Sequence, residues 1–237
     1  CIYRVPRGKS IVAPRSQCPK CGHKIPWYEN IPVLSYISLG GKCSRCKKKI
    51  SYVYPTVEIL TALLAVAIYA FFGLTIKSLI FFVLFSALII TAFVDFERQE
   101  IPDIISLPGI GIGLLISWIY PEVLSGTRPE ALLNSFLGIL IGGGTLYLIG
   151  FFGKIAFKKD AMGGGDIKLL AMIGAFLGWK IALLTFFIAP FLGLPTGIIM
   201  KLRKGKEGVI PYGPYLSLGA FVALLWGEDI LRVLFKF

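Results

Sequence analysis

The chain has 237 residues, is 56% hydrophobic and carries 25 Lys and Arg against 13 Asp and Glu, a net charge of +12. Apolar runs of roughly 17 to 23 residues recur, each long enough to cross a ~30 Å hydrocarbon core as a helix, which excludes a water-soluble globular domain and predicts an all-α polytopic membrane protein. The basic balance does not point to nucleic acid, because the cations follow the apolar runs: 19 fall in the loops of one side and 5 in those of the other, as a membrane topology demands.

Residues 1–55 are polar and punctuated by Pro and Gly, so they are expected to form a small loop-rich domain that cannot rest on a hydrophobic core. Eleven of the cations lie here, and the positive-inside rule puts this domain at the cytoplasmic face. Cys18-Pro-Lys-Cys21 and Cys43-Ser-Arg-Cys46 are two C-x-x-C knuckles separated by 21 residues. In a reducing compartment such thiols stay free. Two knuckles present four thiolates tetrahedrally to Zn²⁺ at about 2.3 Å each, a site that stabilises a small domain outright. A redox dithiol would need a helix start beside a strand, and nothing in the sequence reads that way. His23 is expected at the surface or behind the ligands, since four cysteines already fill the coordination sphere. Cys1 is left over. It is expected to belong to a preceding anchor helix, with which a chain of this hydropathy and basic cytoplasmic segment would begin.

Residues 56–237 are expected to form a membrane bundle of about seven helices: 56–72, 78–94, 104–120, 131–152, a short one at 167–177, 181–200 and 215–226. Small residues cluster at Gly109, Gly111 and Gly113, at Gly138 with Gly142 to Gly144, and around Pro190, Gly193, Pro195 and Gly197, which predicts close helix crossings or kinks rather than chemistry.

Two acids stand out. Asp95 closes the second apolar run, and Asp166 opens another directly after Gly163-Gly164-Gly165. A carboxylate at the edge of a hydrocarbon core costs on the order of 3 kcal/mol, so two at matching depth suggest a shared task. Aspartyl chemistry needs such a pair, close enough that one carboxylate is a base while the other holds a proton. The three glycines remove side-chain bulk and allow a close backbone approach, and Lys168 falls on a different helical face from Asp166. Structural roles compete. Asp166 could cap a helix, as could Asp103 after Pro102, and Glu58 could be favoured by a helix dipole. Glu97, Arg98 and Glu100 read as solvated loop. Asp95 has no such role, because a helix C-terminus disfavours an anion.

Taken together, the knuckles, Tyr54-Pro55-Thr56-Val57-Glu58, the stretch from Asp95 to Asp103, Gly163-Gly164-Gly165-Asp166-Ile167-Lys168 and Ile210-Pro211-Tyr212-Gly213-Pro214-Tyr215 resemble the bacterial type IV prepilin leader peptidases, the G-x-G-D class of intramembrane aspartyl proteases. The resemblance covers nearly the whole chain in family order. It implies a membrane bundle with eight helices in the full-length family, lodged in the bacterial inner membrane, that removes the basic leader of prepilins or pseudopilins after a Gly on the cytoplasmic side. It implies catalytic roles for Asp95 and Asp166, no assigned chemistry for Asp103, and N-methylation of the new terminus with S-adenosylmethionine, the knuckles matching the bifunctional form. Lipid and the pilin substrate are the implied partners, and no oligomeric state follows. A presenilin-like protease would lack the two knuckles. A zinc-stabilised carrier relaying protons through the two acids is the non-enzymatic alternative.

Overall fold

The computed structural model describes residues 4–8, 10, 15–124, 126–158, 162–204 and 210–235; Cys1 lies outside them. These residues form helices joined by turns, with no strand beyond two isolated bridges. The helices are α1 (Leu34–Ser38), α2 (Val53–Phe72), α3 (Ile76–Arg98), α4 (Asp103–Ile119), α5 (Arg128–Phe157), α6 (Gly164–Lys204) and α7 (Gly213–Phe235). Helix α6 is broken at Gly178, whose φ of 81° and ψ of 172° are not helical. The seven expected spans are therefore α2 to α5, the two arms of α6, and α7. The polytopic all-α expectation holds.

Among the described residues four helices, α2, α3, α5 and α6, are long and apolar enough to cross a membrane; α4 is apolar but has 17 residues. Their outward faces are those of a lipid-facing protein. Leu63 and Val66 on α2, and Leu133, Phe136 and Leu140 on α5, are all exposed, at a density that water would not tolerate on a soluble monomer. Local chemistry sets the ends. Helix α2 stops at Gly73, which adopts a φ of 65° and returns its N–H to Tyr69. Helix α3 begins where Thr75 and Ser78 cap each other reciprocally, each hydroxyl accepting the other's backbone N–H.

Internal packing divides the chain into two units, Cys1–Phe82 and Val83–Phe237. The first contains the knuckles, α1 and α2. The second is organised around the first arm of α6, where Leu169, Leu170, Met172 and Ile173 are almost fully buried. Helices α4, α5 and α7 all pack on α6. A close crossing joins α5 and α6 at Gly138 and Gly174, where a Cβ on either residue would run into the other's carbonyl oxygen. Part of the expected glycine packing is thus realised here, as it is at Gly113, where a Cβ would lie 2.7 Å from that of Ala175; Gly111 and Gly144 meet nothing.

The break at Gly178 would orphan backbone groups inside the bundle, and two neighbours on α5 take them up. Ser135 donates its hydroxyl to the Ala175 carbonyl at 2.7 Å, and Asn134 Oδ1 accepts the Trp179 N–H at 3.3 Å, capping the second arm. Asn134→Ala should therefore lower stability by about 1 kcal/mol, the usual worth of such a cap. Thermal unfolding in detergent reads this directly, and an unchanged midpoint would deny the cap its role.

Candidate active site and metal centre

In the first unit the two knuckles are copies of one small turn. Cys18 N–H donates to the His23 carbonyl and Gly22 N–H to that of Cys18; in the second copy Cys43 N–H donates to Lys48 and Lys47 N–H to Cys43. An isolated bridge closes each turn, Gln17 with Lys24 and Lys42 with Lys49. Gly22 supplies the left-handed residue of the first at a φ of 70°, whereas Lys47 adopts it at 55° in the second. The turns bring four free thiols together. Cys18 and Cys46 sulfurs are 3.9 Å apart, Cys21 and Cys43 sulfurs 4.0 Å, and all four lie within 4.8 Å of one another. A tetrahedral ion with 2.3 Å bonds to sulfur needs sulfurs about 3.8 Å apart. The cluster therefore fits a metal ion. His23 is not part of it; its backbone shapes the turn.

The thiols respond unequally to this crowding. Amide hydrogens of Cys46 and Arg45 pull Cys43 down from 9.0 to about 7. At Cys21 the His23 amide also pulls down, but desolvation and the surrounding sulfurs outweigh it and lift the thiol to about 11. Four anions this close require a cation among them.

The acids lie in the second unit. Helix α3 runs past Val94 to Arg98, so Asp95 sits inside the final turn and its own carbonyl accepts the Gln99 N–H at 2.8 Å. The residue is 5% exposed. Such an anion at a helix C-terminus needs compensation, and α7 provides it: Gly213, the first residue of α7, donates its N–H to Asp95 Oδ2 at 2.9 Å, placing a positive helix end on the carboxylate. A Cβ at position 213 would sit 2.9 Å from that oxygen. Ser217, donating to the Leu88 carbonyl, and the edge-to-face rings of Phe85 and Phe221 hold α7 against α3.

Asp166 is the third residue of α6 and not its cap; Gly163 precedes the helix. The half-buried carboxyl reaches back to the Gly163 backbone, as an acid does in a capping box. A Cβ at Gly163 would press to 3.0 Å of Asp166 Oδ2, and one at Gly165 to 2.8 Å of Ile101 in the loop between α3 and α4; one at Gly164 would meet nothing. The first and third glycines of the run thus have separate steric reasons. Asp95 and Asp166 lie within electrostatic reach of each other. Tyr212 joins them: burial, then the Asp166 charge, pushes its phenol up to about 12, so it keeps its proton.

Asp103 opens α4 and pairs with Lys168, whose Nζ lies 2.7 and 2.8 Å from the two carboxylate oxygens. Lys168 thus turns away from Asp166, as its helical position suggested, and ties α6 to α4. Glu97 and Glu100 are exposed. Glu58 lies in the second turn of α2, which starts before residue 56, and its carboxylate accepts the Val33 N–H at 2.8 Å. Sequence reasoning gave no role to Gly213 or Tyr212. The available signal was Pro-Tyr-Gly-Pro at a helix start, where free amides gather.

Residues 1–72 match the bacterial peptidase A24 N-terminal domain and residues 82–198 the type IV leader peptidase family. A prepilin leader peptidase/N-methyltransferase of Pseudomonas aeruginosa is 39% identical over 230 residues, covering 96% of this chain and 77% of that protein. Proteins of the same name are 37% identical in Pseudomonas putida, over 92% of this chain and 74% of the relative, and 37% identical in Aeromonas hydrophila, over 94% and 75%. No solved structure matches. With both parts matched in order and relatives this similar along most of their length, the chain belongs to the type IV leader peptidase family.

Proposed function

We propose that this protein is an aspartic endopeptidase of the bacterial inner membrane that cleaves the basic leader of prepilins or pseudopilins after Gly, at the cytoplasmic face, and then N-methylates the new terminus. The observation that carries the reading is the buried Asp95, held by the Gly213 amide within electrostatic reach of Asp166. Asp95 and Asp166 are assigned as the catalytic pair. One carboxylate takes a proton from the attacking water as the new C–O bond forms. The other gives its proton to the leaving amide nitrogen as the C–N bond breaks. The Tyr212 phenol, which keeps its proton near the Asp166 charge, is assigned as a hydrogen-bond donor to the carbonyl oxygen on which charge develops. The small residues Gly163 and Gly213 beside the acids leave room for a peptide backbone.

Cys18, Cys21, Cys43 and Cys46 are assigned to structural Zn²⁺, whose charge neutralises the four thiolates and closes the two knuckles on each other. S-adenosylmethionine is the proposed methyl donor. The cytoplasmic placement rests on the distribution of cations.

Purified protein in detergent, given a synthetic prepilin peptide, should cut once after the leader Gly and, with the methyl donor present, leave a methylated terminus. Mass spectrometry of the products checks both. A cut inside the apolar helix would favour the presenilin-like chemistry, and no cut at all would favour the carrier.

A further inference from the structure

The first 82 residues contain 12 Lys and Arg but only two acids, Glu29 and Glu58. Both line one cavity. It has a volume of about 330 Å³ and lies wholly within the first unit, with Asn30, Tyr36, Ser44 and Tyr54 among its other walls, and its size is that of a small-molecule site. Two carboxylates on the lining of one cavity, with Arg4 there as well, concentrate the acids of an otherwise basic unit in one place.

Neither acid forms an ion pair among the described residues. Among the described residues Glu29 accepts the Ser44 hydroxyl at 2.7 Å and Glu58 the Val33 N–H at 2.8 Å, each through its Oε2. Each keeps acceptor capacity for something else. Next to Ile31 and Ser35 of this lining the chain is held in an unusual form. Val33 has a φ of 62° and a ψ of −48°, and Leu34 N–H bonds back to the Pro32 carbonyl at 2.6 Å, a tight γ-turn that a β-branched residue rarely adopts. Glu58 fastens this turn from α2, and Ser35 fastens its other side by accepting the Ile31 N–H and donating to the Tyr28 carbonyl. Strain kept in place by several bonds beside a cavity is the pattern of a preorganised binding wall.

We propose that this cavity binds the methyl donor, an adenosyl sulfonium, with Glu29 and Glu58 as its anionic receptors. The assignment rests on the methyltransferase reading above. A sulfonium carries the positive charge that the two carboxylates attract, its ribose diol offers the paired hydroxyls that a carboxylate accepts, and Tyr36 and Tyr54 on the lining provide aromatic surface for the adenine. The transfer such a site serves moves a methyl group from sulfur to a neutral amine nitrogen: the C–S bond breaks with its electrons left on a thioether, the C–N bond forms, and the amine proton passes to a carboxylate of the cavity. Cys18 and Cys43 form part of the same wall, so the metal and the donor share a scaffold.

Calorimetric titration of the metal-loaded protein in detergent, with S-adenosylmethionine and with its neutral demethylated thioether, tests this. Wild type should bind one molecule of either. Glu29→Gln and Glu58→Gln should each weaken the sulfonium by about tenfold or more, the loss expected for one charge-assisted contact, and weaken the thioether less. Glu29→Gln is the decisive variant, because Glu29 does not hold the Val33 turn; an unchanged melting temperature and metal content show that it is folded. Wild-type affinity in that variant for both compounds would overturn the cavity assignment while methylation by the protein still stood. Absence of binding in wild type, with no methylated product, would overturn the methyltransferase reading and this proposal with it. Protection of the cavity by pre-cleaved pilin peptide alone would give the site to the peptide and overturn the proposal likewise.

Discussion

Asp95→Asn and Asp166→Asn should each reduce leader cleavage by roughly 10³-fold or more, the scale on which an essential acid or base acts. The amide keeps the shape of the carboxyl but cannot exchange the proton that water attack requires. At position 95 the Asn Oδ1 can still accept the Gly213 N–H, so α7 should stay seated and the loss should appear in kcat without unfolding. Asp166→Asn similarly keeps an acceptor toward the Gly163 backbone. Asp103→Asn is the contrast. It gives up a half-exposed ion pair with Lys168, a contact of a kind worth little in water, and measurable cleavage should remain. Initial rates on a prepilin peptide, beside thermal melts, check all three. Near-normal turnover by either Asp95→Asn or Asp166→Asn would remove that residue from the chemistry, and total loss in Asp103→Asn would mean that the wrong acid had been chosen.

Removing the metal should damage the first unit more than the second. Residues 15–50 have few buried apolar side chains; Cys18 and Cys43 are themselves the buried hydrophobic residues of that stretch. A domain so built should depend on the ion for its fold. One zinc per chain is expected by elemental analysis. Chelation, or Cys46→Ser, should open the knuckles to protease while α3 to α7 keep their helical signal. The effect should follow pH. Thiolates bind metal and thiols do not, so protons compete, and retention should weaken as pH falls. Methylation of a pre-cleaved pilin should then fall further than cleavage, since the acids are in the other unit. No stoichiometric metal, with all four thiols freely alkylated, would defeat the zinc assignment. Equal loss of both activities with intact helices would show that the metal unit shapes the protease site.

Much of this was legible in the sequence because it is local. Hydropathy marked all seven helical segments, including the break in α6, where Gly178-Trp179-Lys180 interrupts two apolar runs. The knuckles were visible because each ligand pair is three residues apart and each turn closes on itself. The partner of Asp95 was not visible: Gly213 is 118 residues away, and no periodicity links a carboxylate to an amide at the start of a different helix. The same distance hid the pairing of Asp103 with Lys168, 65 residues on. Helix ends were also misplaced by local reading. The apolar run stops at Val94, but backbone hydrogen bonding continues through a charged last turn, which moved Asp95 from the end of α3 into it. The strained Val33 had no sequence signature at all, since its conformation is imposed by Glu58 from α2.

The crossing of α5 and α6 has a consequence for how loss of function in this protein is interpreted. Gly174 lies eight residues after Asp166 on one continuous arm, about 12 Å along the axis, and it touches Gly138 backbone to backbone. Nothing soft separates the two helices there, so one added methyl cannot be absorbed by a rotamer change and must displace the arm as a rigid lever. The far end of that lever carries Asp166, one of the two acids assigned to the chemistry, so such a displacement would shift it relative to Asp95. A genetic screen will therefore score both glycines beside the aspartates, although neither has an atom that takes part in the reaction.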